Sequence, residues 1–312
     1  MIDKNLFLNQ GKNSDIIFFK IKSKFLVNLP IVQKFVRFIN KYLYKINFFG
    51  AAINRYENTL SIFSAKKDKS LYAKFKKQKI FCNFGSGGFY HNFWINFDFP
   101  AATEKYKSIQ GKKYKDFRPI DLCEANLNLP FQNETVDLIY CSHTIEHLEE
   151  QKAITFLKEC SRILKTAGVI RLAFPSLENN FYFSKIINEQ QNIPEEIKKN
   201  SIITSSIEAL TSSENVQEND LINEIRKNNY DINDLYKNIS QKFKISKKFD
   251  YKNPGRHISF WSHEKLSKLS NSLGFKFYLP FYKGSSLTEP FKNTEVFDTT
   301  ESQWSLYGEL IK

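Results

Sequence analysis

The stretch Lys79–Phe99, KIFCNFGSGGFYHNFWINFDF, constrains this chain more than any other. An apolar run of strand length leads into three glycines, Gly85, Gly87 and Gly88, and a second apolar run ends in Asp98. Short apolar runs bounded by turn residues read as strands buried on both faces. Glycines after such a strand let the backbone approach a ligand closely, because no Cβ intervenes. An acid ending the next strand can accept the two hydroxyls of a ribose. Yet only nine residues, Phe89 to Phe97, separate Gly88 from Asp98, and Phe89, Tyr90, Phe93 and Trp94 among them are bulky aromatics. The glycines do not follow G-x-G-x-x-G, and Asp98 follows Gly85 by 13 residues; a dinucleotide fold expects about 20 and a full helix between. The G-x-x-x-x-G-K-[ST] of a triphosphate loop is also missing from the sequence.

The rest of the body alternates. VDLIYCS (136–142) and VIRLAFP (169–175) read as strands, with AITFLKECSRILKTAG between them as a helix. Phe156, Leu157, Cys160, Ile163 and Leu164 fall on one face of that helix, and Gly168 is its expected stop. SHEKLSKLSNSLGF (262–275) predicts a second helix, with Ser262 as N-cap and Gly274 as stop. FKFYLPFY and SLYGELIK read as closing strands. Strands interleaved with helices imply an α/β fold with a mainly parallel sheet. Residues 178–255 are rich in Asn, Lys, Glu, Ser and Ile, too polar for sheet core, and predict a helical insertion or lid.

Charge is unevenly placed. Residues 1–79 hold 17 Lys/Arg against 4 Asp/Glu, the whole net charge of +13; the remaining 29 basic and 29 acidic residues cancel. Residues 1–78 are therefore read as a basic N-terminal helical extension ending in a linker, and 79–312 as the catalytic body. Within 31–49, Lys34, Arg37, Lys41 and Lys45 form one helical stripe, with Phe35, Phe38, Ile39, Tyr42 and Ile46 on other sides. Three readings compete: a helix packed on the body with a solvated lysine face, a peripheral contact with anionic lipid, or a phosphate-rich or nucleic-acid partner. The last is the least favoured. Cys82, Cys123, Cys141 and Cys160 form no CxxC pair, which argues against a disulfide framework and a zinc site and for a reducing, cytoplasmic setting. No run approaches the ~18 apolar residues of a membrane span.

A ligand needing a glycine turn and a ribose acid, but no pyrophosphate on a helix N-terminus, fits these residues; S-adenosylmethionine is one. Together NFGSGG…HNFWINFDF, DL…LPFQNETVDLIYCSHTIEHL, RILKTAGVIRLAFPSLE and SLYGELIK resemble class I S-adenosylmethionine-dependent methyltransferases. The nearest likeness is the type 11-like subgroup, whose first helix is short. The resemblance covers 79–177 and, in outline, the last fifty residues. It implies a Rossmann-like class I sheet with an antiparallel C-terminal strand. It also implies that Gly85, Ser86 and Gly87 wrap the methionine end of the cofactor and Asp98 holds the ribose. Asp121 and Leu122 would border the adenine, and Cys141 and Ser142 would line the pocket near the sulfonium. Asn83 stands where many relatives carry an acid for the methionine amine, so it brings a hydrogen bond without charge.

Methyl transfer mainly needs positioning, and an alcohol acceptor also needs a base. His143 is the first candidate, and His257, beside Arg256, could close over the acceptor. His147 is read as structural and His91 as a turn residue that could also cover the cofactor. His143 and His147 flank Glu146 in H-T-I-E-H rather than H-E-x-x-H, so no metal is expected. The expected reaction is methylation of oxygen or nitrogen, with a cell-surface saccharide or lipid-linked acceptor suggested by the resemblance. A nicotinamide-dependent oxidoreductase and a non-catalytic cofactor-binding protein of the same fold are the alternatives.

Overall fold

The computed structural model describes residues 17–54, 58–75, 79–100 except 92, 112–175 except 115, 247–298 except 253 and 295, and 305–312, with a few isolated positions between. The described residues begin with β1 (Ile17–Lys22), α1 (Lys24–Asn28), α2 (Pro30–Phe38) continued by a π-helical turn (Ile39–Leu43), β2 (Phe49–Asn54), β3 (Thr59–Ser64) and α3 (Ala65–Leu71). The body follows with β4 (Phe81–Phe84), β5 (Phe89–Tyr90), β6 (Trp94–Asp98), β7 (Arg118–Pro119), β8 (Val136–Ser142), α4 (Glu150–Ile163), β9 (Leu164–Pro175), α5 (His263–Leu269), β10 (Phe277–Phe281) and β11 (Ser305–Ile311).

Seven strands form the main sheet in the order β10-β11-β9-β8-β4-β6-β7. β4 pairs in parallel with both β6 and β8, and β8 with β9; β11 runs antiparallel between β9 and β10. This is the expected mainly parallel sheet with an antiparallel C-terminal strand. All four residues of β4 are buried, as a central strand covered on both faces requires. Cys82 and Phe84 join one core with Phe156, Leu157 and Cys160 of α4. Phe81 joins a second core on the other face. α4 buries Ala153, Phe156, Leu157 and Cys160, the i, i+3, i+4, i+7 pattern. α5 starts at Ser262, whose side chain accepts from Lys265 N, and its C-terminal extension stops at Gly274 with φ +87°.

The reading of residues 1–78 needs correction. The extension is not only helix and linker: β1, β3 and β2 make an antiparallel sheet, and β5 of the body adds the fourth strand. These six-residue strands are apolar in part, but they lie in a lysine-rich segment whose charge drew the reading toward a basic helix. The basic run 65–79, read as a linker or a helix, forms α3 over Ala65–Leu71. The aromatic turn after the glycines is the seam between the two sheets. His91 is 1% exposed and stacks on Phe63, with its Nε2 3.3 Å from Asp68 Oδ2. Tyr44 donates to the same Asp68 oxygen, and Trp94 Nε1 donates to Tyr72 Oη. Gly168 also departs from expectation. α4 ends at Ile163, and Gly168 lies inside β9, after Ala167 with φ +62°. The expected insertion lies outside the described residues except for isolated positions and its last stretch from 247.

Candidate active site

The site is built at the C-terminal ends of β4, β6 and β8. Gly85 and Gly87 take φ of +68° and +50°, left-handed values that favour glycine. Ser86 N donates to Phe97 O (3.1 Å), and Gly87 N donates to Asp98 Oδ2 (2.8 Å). Phe99 N donates to the other oxygen of Asp98 at 2.8 Å. The acid thus clamps the glycine turn and keeps lone pairs on both oxygens for a further donor. Burial pushes the Asp98 carboxyl up to about 6, against hydrogen bonds from Gln110, Phe99 and Gly87 and the field of His147. A Cβ on Gly85 would lie 1.9 Å from Thr144 Oγ1, whereas one on Gly87 would meet nothing within 4 Å. Gly87 therefore faces open space, as a ligand cradle should.

Asp121 follows β7. Its Oδ1 accepts from Cys123 N at 2.8 Å, and its Oδ2 accepts from the Tyr251 hydroxyl at 3.3 Å. Tyr251, Phe249 and Phe99 form a ring cluster with centroids 4.9–5.9 Å apart, next to both acids. Leu122 is buried beside Asp121. Asn83 is buried, and its amide donates to Asn96 Oδ1 (3.2 Å). It shares the face of Phe81, by the alternation of a strand. Cys141 is buried and its thiol is pushed well up by burial, so it offers bulk rather than a thiolate. Ser142 ends β8, and its carbonyl accepts from Thr144 Oγ1 (3.0 Å).

The histidines gather just beyond. His143 has φ +48°, a sparsely populated conformation that orients its ring. Its Nε2 is 2.8 Å from Ser305 Oγ, and its Nδ1 is 3.2 Å from Glu146 Oε1. Glu146 is 2% exposed. Burial pushes its carboxyl up, but the His143 hydrogen bond and the fields of His147, His143 and His257 outweigh this and bring it down to about 2. His147 Nδ1 lies 3.0 Å from Arg256 O, and its ring packs on His257 with centroids 4.8 Å apart. Ile258 N and Ser259 N donate to Glu146 O, and Trp261 Nε1 donates to Ile145 O. One ligand atom each from Glu146, His147 and His257 lie within 4.8 Å of one another.

The fold thus brings together the glycine turn, Asp98, Asp121, His143 and His257. It sends His91 to the seam instead. Thr144, Tyr251, Phe99 and Ser305 were not foreseen: Tyr251 and Ser305 reach the site from far along the chain, whereas Phe99 and Thr144 follow predicted residues but carry no motif of their own. Glu146 carried a signal, as the acid between two histidines.

A family model described as a methyltransferase domain matches residues 95–172, from β6 into β9. An uncharacterized protein of Methanocaldococcus jannaschii is 33% identical over 102 residues, covering 31% of this chain; the chain spans 42% of that relative's length. Among solved structures, an S-adenosylmethionine-dependent methyltransferase of Archaeoglobus fulgidus is 13% identical, with TM-score 0.37, over 79% of this chain and 92% of that one. A chain from the Haloferax volcanii complex of the Trm112 methyltransferase activator with a methyltransferase is 12% identical, with TM-score 0.37, over 78% and 87%. These structural likenesses are too loose to assign any residue. The matched segment lies within the mainly parallel sheet, and its strand order is consistent with a methyltransferase domain of the class I kind.

Proposed function

We propose that the protein methylates an oxygen or nitrogen of a saccharide or lipid-linked acceptor at a membrane surface. The glycine turn clamped by Asp98, with its open face at Gly87, is the observation that carries the cofactor site. Bound there, S-adenosylmethionine would supply an already activated methyl group. Gly85, Ser86 and Gly87 would cradle its methionine end, Asp98 the ribose, and Asp121 and Leu122 the adenine. Tyr251 and Phe99 would complete the adenine wall. Asn83, tied to Asn96, supplies no charge for the amine. His143 is the base. With its Nδ1–H directed to Glu146, its Nε2 accepts from Ser305 Oγ; an acceptor hydroxyl taking the serine's place would give its proton there, and the buried carboxylate would stabilise the imidazolium. His257, packed behind His147, shapes the acceptor side.

Calorimetric titration with S-adenosylmethionine and with NADH tests the reading. Binding of the first alone is expected; binding of NADH alone would replace it with the oxidoreductase alternative. His143→Gln should then lower kcat while leaving cofactor affinity near wild type.

The surface reading rests on the N-terminal helix. α2 and the turn after it pack through Val36, Ile39 and Asn40. Ile31, Phe35, Phe38, Tyr42 and Ile46 form an outward apolar stripe, each at least 50% exposed. Lys34, Lys41 and Lys45 are exposed beside it, while Arg37 is instead paired with Asp116 at 2.5 Å. Exposed apolar side chains flanked by lysines suit an anionic lipid interface. Among the described residues no helix is long and apolar enough to cross a membrane. Vesicles containing phosphatidylserine should float the wild type but not a Phe35→Asp/Phe38→Asp variant. Equal flotation of both removes the lipid reading.

A further inference from the structure

We infer that Glu146, His147 and His257 bind a divalent first-row transition ion at the edge of the methyl-transfer site. The H-T-I-E-H spacing alone did not suggest it. The third donor comes from 110 residues further along the chain, folded back by the pairing of Ile258 and Ser259 with Glu146 O.

Three observations converge. The first is the donor set. Two imidazoles and a carboxylate suit zinc, manganese, iron, cobalt or nickel better than magnesium or calcium. Their candidate atoms lie within 4.8 Å of one another. Donors around an ion at ~2.1 Å stand ~3 Å apart when adjacent and ~4.2 Å when opposite. Rotamer adjustments of less than about 1 Å would close the site.

The second is the tautomer of His147. A backbone carbonyl only accepts, so the 3.0 Å contact with Arg256 O places a proton on Nδ1. In the neutral ring Nε2 then presents a lone pair, 3.9 Å from Glu146 Oε1. A cation, either a proton on Nε2 or a metal ion, relieves two electron-rich atoms that face each other in this way. A histidine held by its other nitrogen to a carbonyl is also how metal-bound histidines are oriented.

The third is Glu146 itself. It is 2% exposed, and His143 Nδ1, 3.2 Å from Oε1, meets one oxygen alone, leaving Oε2 without a partner among the described residues. Its nearest basic atoms are His143 Nδ1 and His147 Nε2. A carboxylate so placed is costly unless a cation sits against it.

Three protein donors leave coordination positions free. The role inferred for the ion rests on the methyltransferase reading: it would bind an acceptor hydroxyl and make its oxygen easier to deprotonate. The oxygen would give its proton to His143 Nε2 as its bond to the methyl carbon forms and the carbon–sulfur bond breaks. The acceptor class is then a hydroxyl compound rather than an amine.

The test uses full-length protein stripped with EDTA and titrated calorimetrically with Zn2+ and with Mn2+, with S-adenosylmethionine titrated separately. One ion per chain is expected. His257→Ala and the isosteric Glu146→Gln, each checked for folding by circular dichroism, should weaken ion binding more than ~100-fold. S-adenosylmethionine affinity should stay within about twofold of wild type in His257→Ala. No saturable binding to the wild type, or equal binding to wild type and both variants, would overturn the site and leave the cofactor reading untouched. In the second case the ion would be adventitious. Ion binding lost in the variants, in a protein that fails to bind S-adenosylmethionine, would support the site and refute the role given to it.

Discussion

Gly85 and Gly87 have the same backbone handedness, yet the structure predicts opposite consequences for adding one methyl group to each. At Gly85, alanine must adopt φ +68°, which costs about 1–2 kcal/mol for an L-residue. Its Cβ would also lie 1.9 Å from Thr144 Oγ1 and 2.8 Å from Thr144 Cβ, so Thr144 must move. Overpacking of this kind costs about 1–3 kcal/mol, and moving Thr144 breaks its bond to Ser142 O, worth about 1 kcal/mol. The sum, about 3–6 kcal/mol, is a large part of the 5–15 kcal/mol typical of a folded domain. At Gly87 only the strain of φ +50° applies, about 1–2 kcal/mol, because nothing lies within 4 Å. That open space is where the cofactor is placed, so Gly87→Ala should weaken S-adenosylmethionine binding by roughly 10- to 100-fold, or 1.4–2.8 kcal/mol. Urea midpoints and calorimetry separate the effects. Thr144→Ala should recover part, not all, of the Gly85→Ala loss, since the 2.8 Å contact is with Cβ. Wild-type affinity in Gly87→Ala would refute the placement of the cofactor; wild-type stability in Gly85→Ala would refute the packing argument.

Because burial holds the Asp98 carboxyl at about 6 in the free protein, and ribose hydroxyls prefer the ionised form, affinity for S-adenosylmethionine should fall as pH drops through 6. The loss should approach tenfold per pH unit below that point, and Asp98→Asn should bind weakly with a flat profile. His263, brought down to about 4 by burial, is ordinarily near 6.5 in an unfolded chain, which therefore binds more protons between those values. Stability should fall as pH drops from 6.5 toward 4, by up to about 3 kcal/mol, and thermal unfolding of His263→Gln should lack that component. Arg171 is fully buried against Asp298 and Glu309, with a 2.5 Å contact to Asp298. Arg171→Met leaves two acids without their cation and should cost about 3–5 kcal/mol in urea unfolding.

The sheet was legible because six of its seven strands announce themselves locally; β7, the two-residue edge strand Arg118–Pro119, does not. Cys82, Phe84, Ile139 and Leu172 lie in apolar runs that must be covered on both sides, and the runs are spaced by helices or turns. What was not legible is the sheet formed by β1, β2 and β3. β2 and β3 are buried through tertiary contact: Ala51, Ile53 and Leu60 pack on Val27, Val36 and Ile39 of the helices, Phe63 joins Tyr44, Tyr72, Phe81 and Trp94 in a second core, and β5 adds to the edge. The lysine-rich composition of the segment drew attention to its helix and hid the strands. The aromatics Phe89 and Trp94 join the second core beside the added sheet. They belong there because a second sheet has to be docked at that point, which gives a packing reason for the short interval between Gly88 and Asp98.

The chemistry divides in the same way. Gly87 and Asp98 are near in sequence and nearer in space, so a one-dimensional pattern could identify them together. His143, Glu146 and His147 were visible as a motif, but their meaning lay in residues far away. Ser305 is 162 positions from His143, and Arg256 is 109 from His147. Without Arg256 O the tautomer of His147 is undetermined, and without His257 the acid between two histidines is only a base and its orienter. Closing the segment 256–261 onto residues 145–147 supplies both at once. That contact would make acceptor chemistry depend on how the end of the insertion docks. A variant that loosens it, such as Ser259→Ala, which removes the bond to Ile145 O, should disturb acceptor turnover before it disturbs the cofactor cradle.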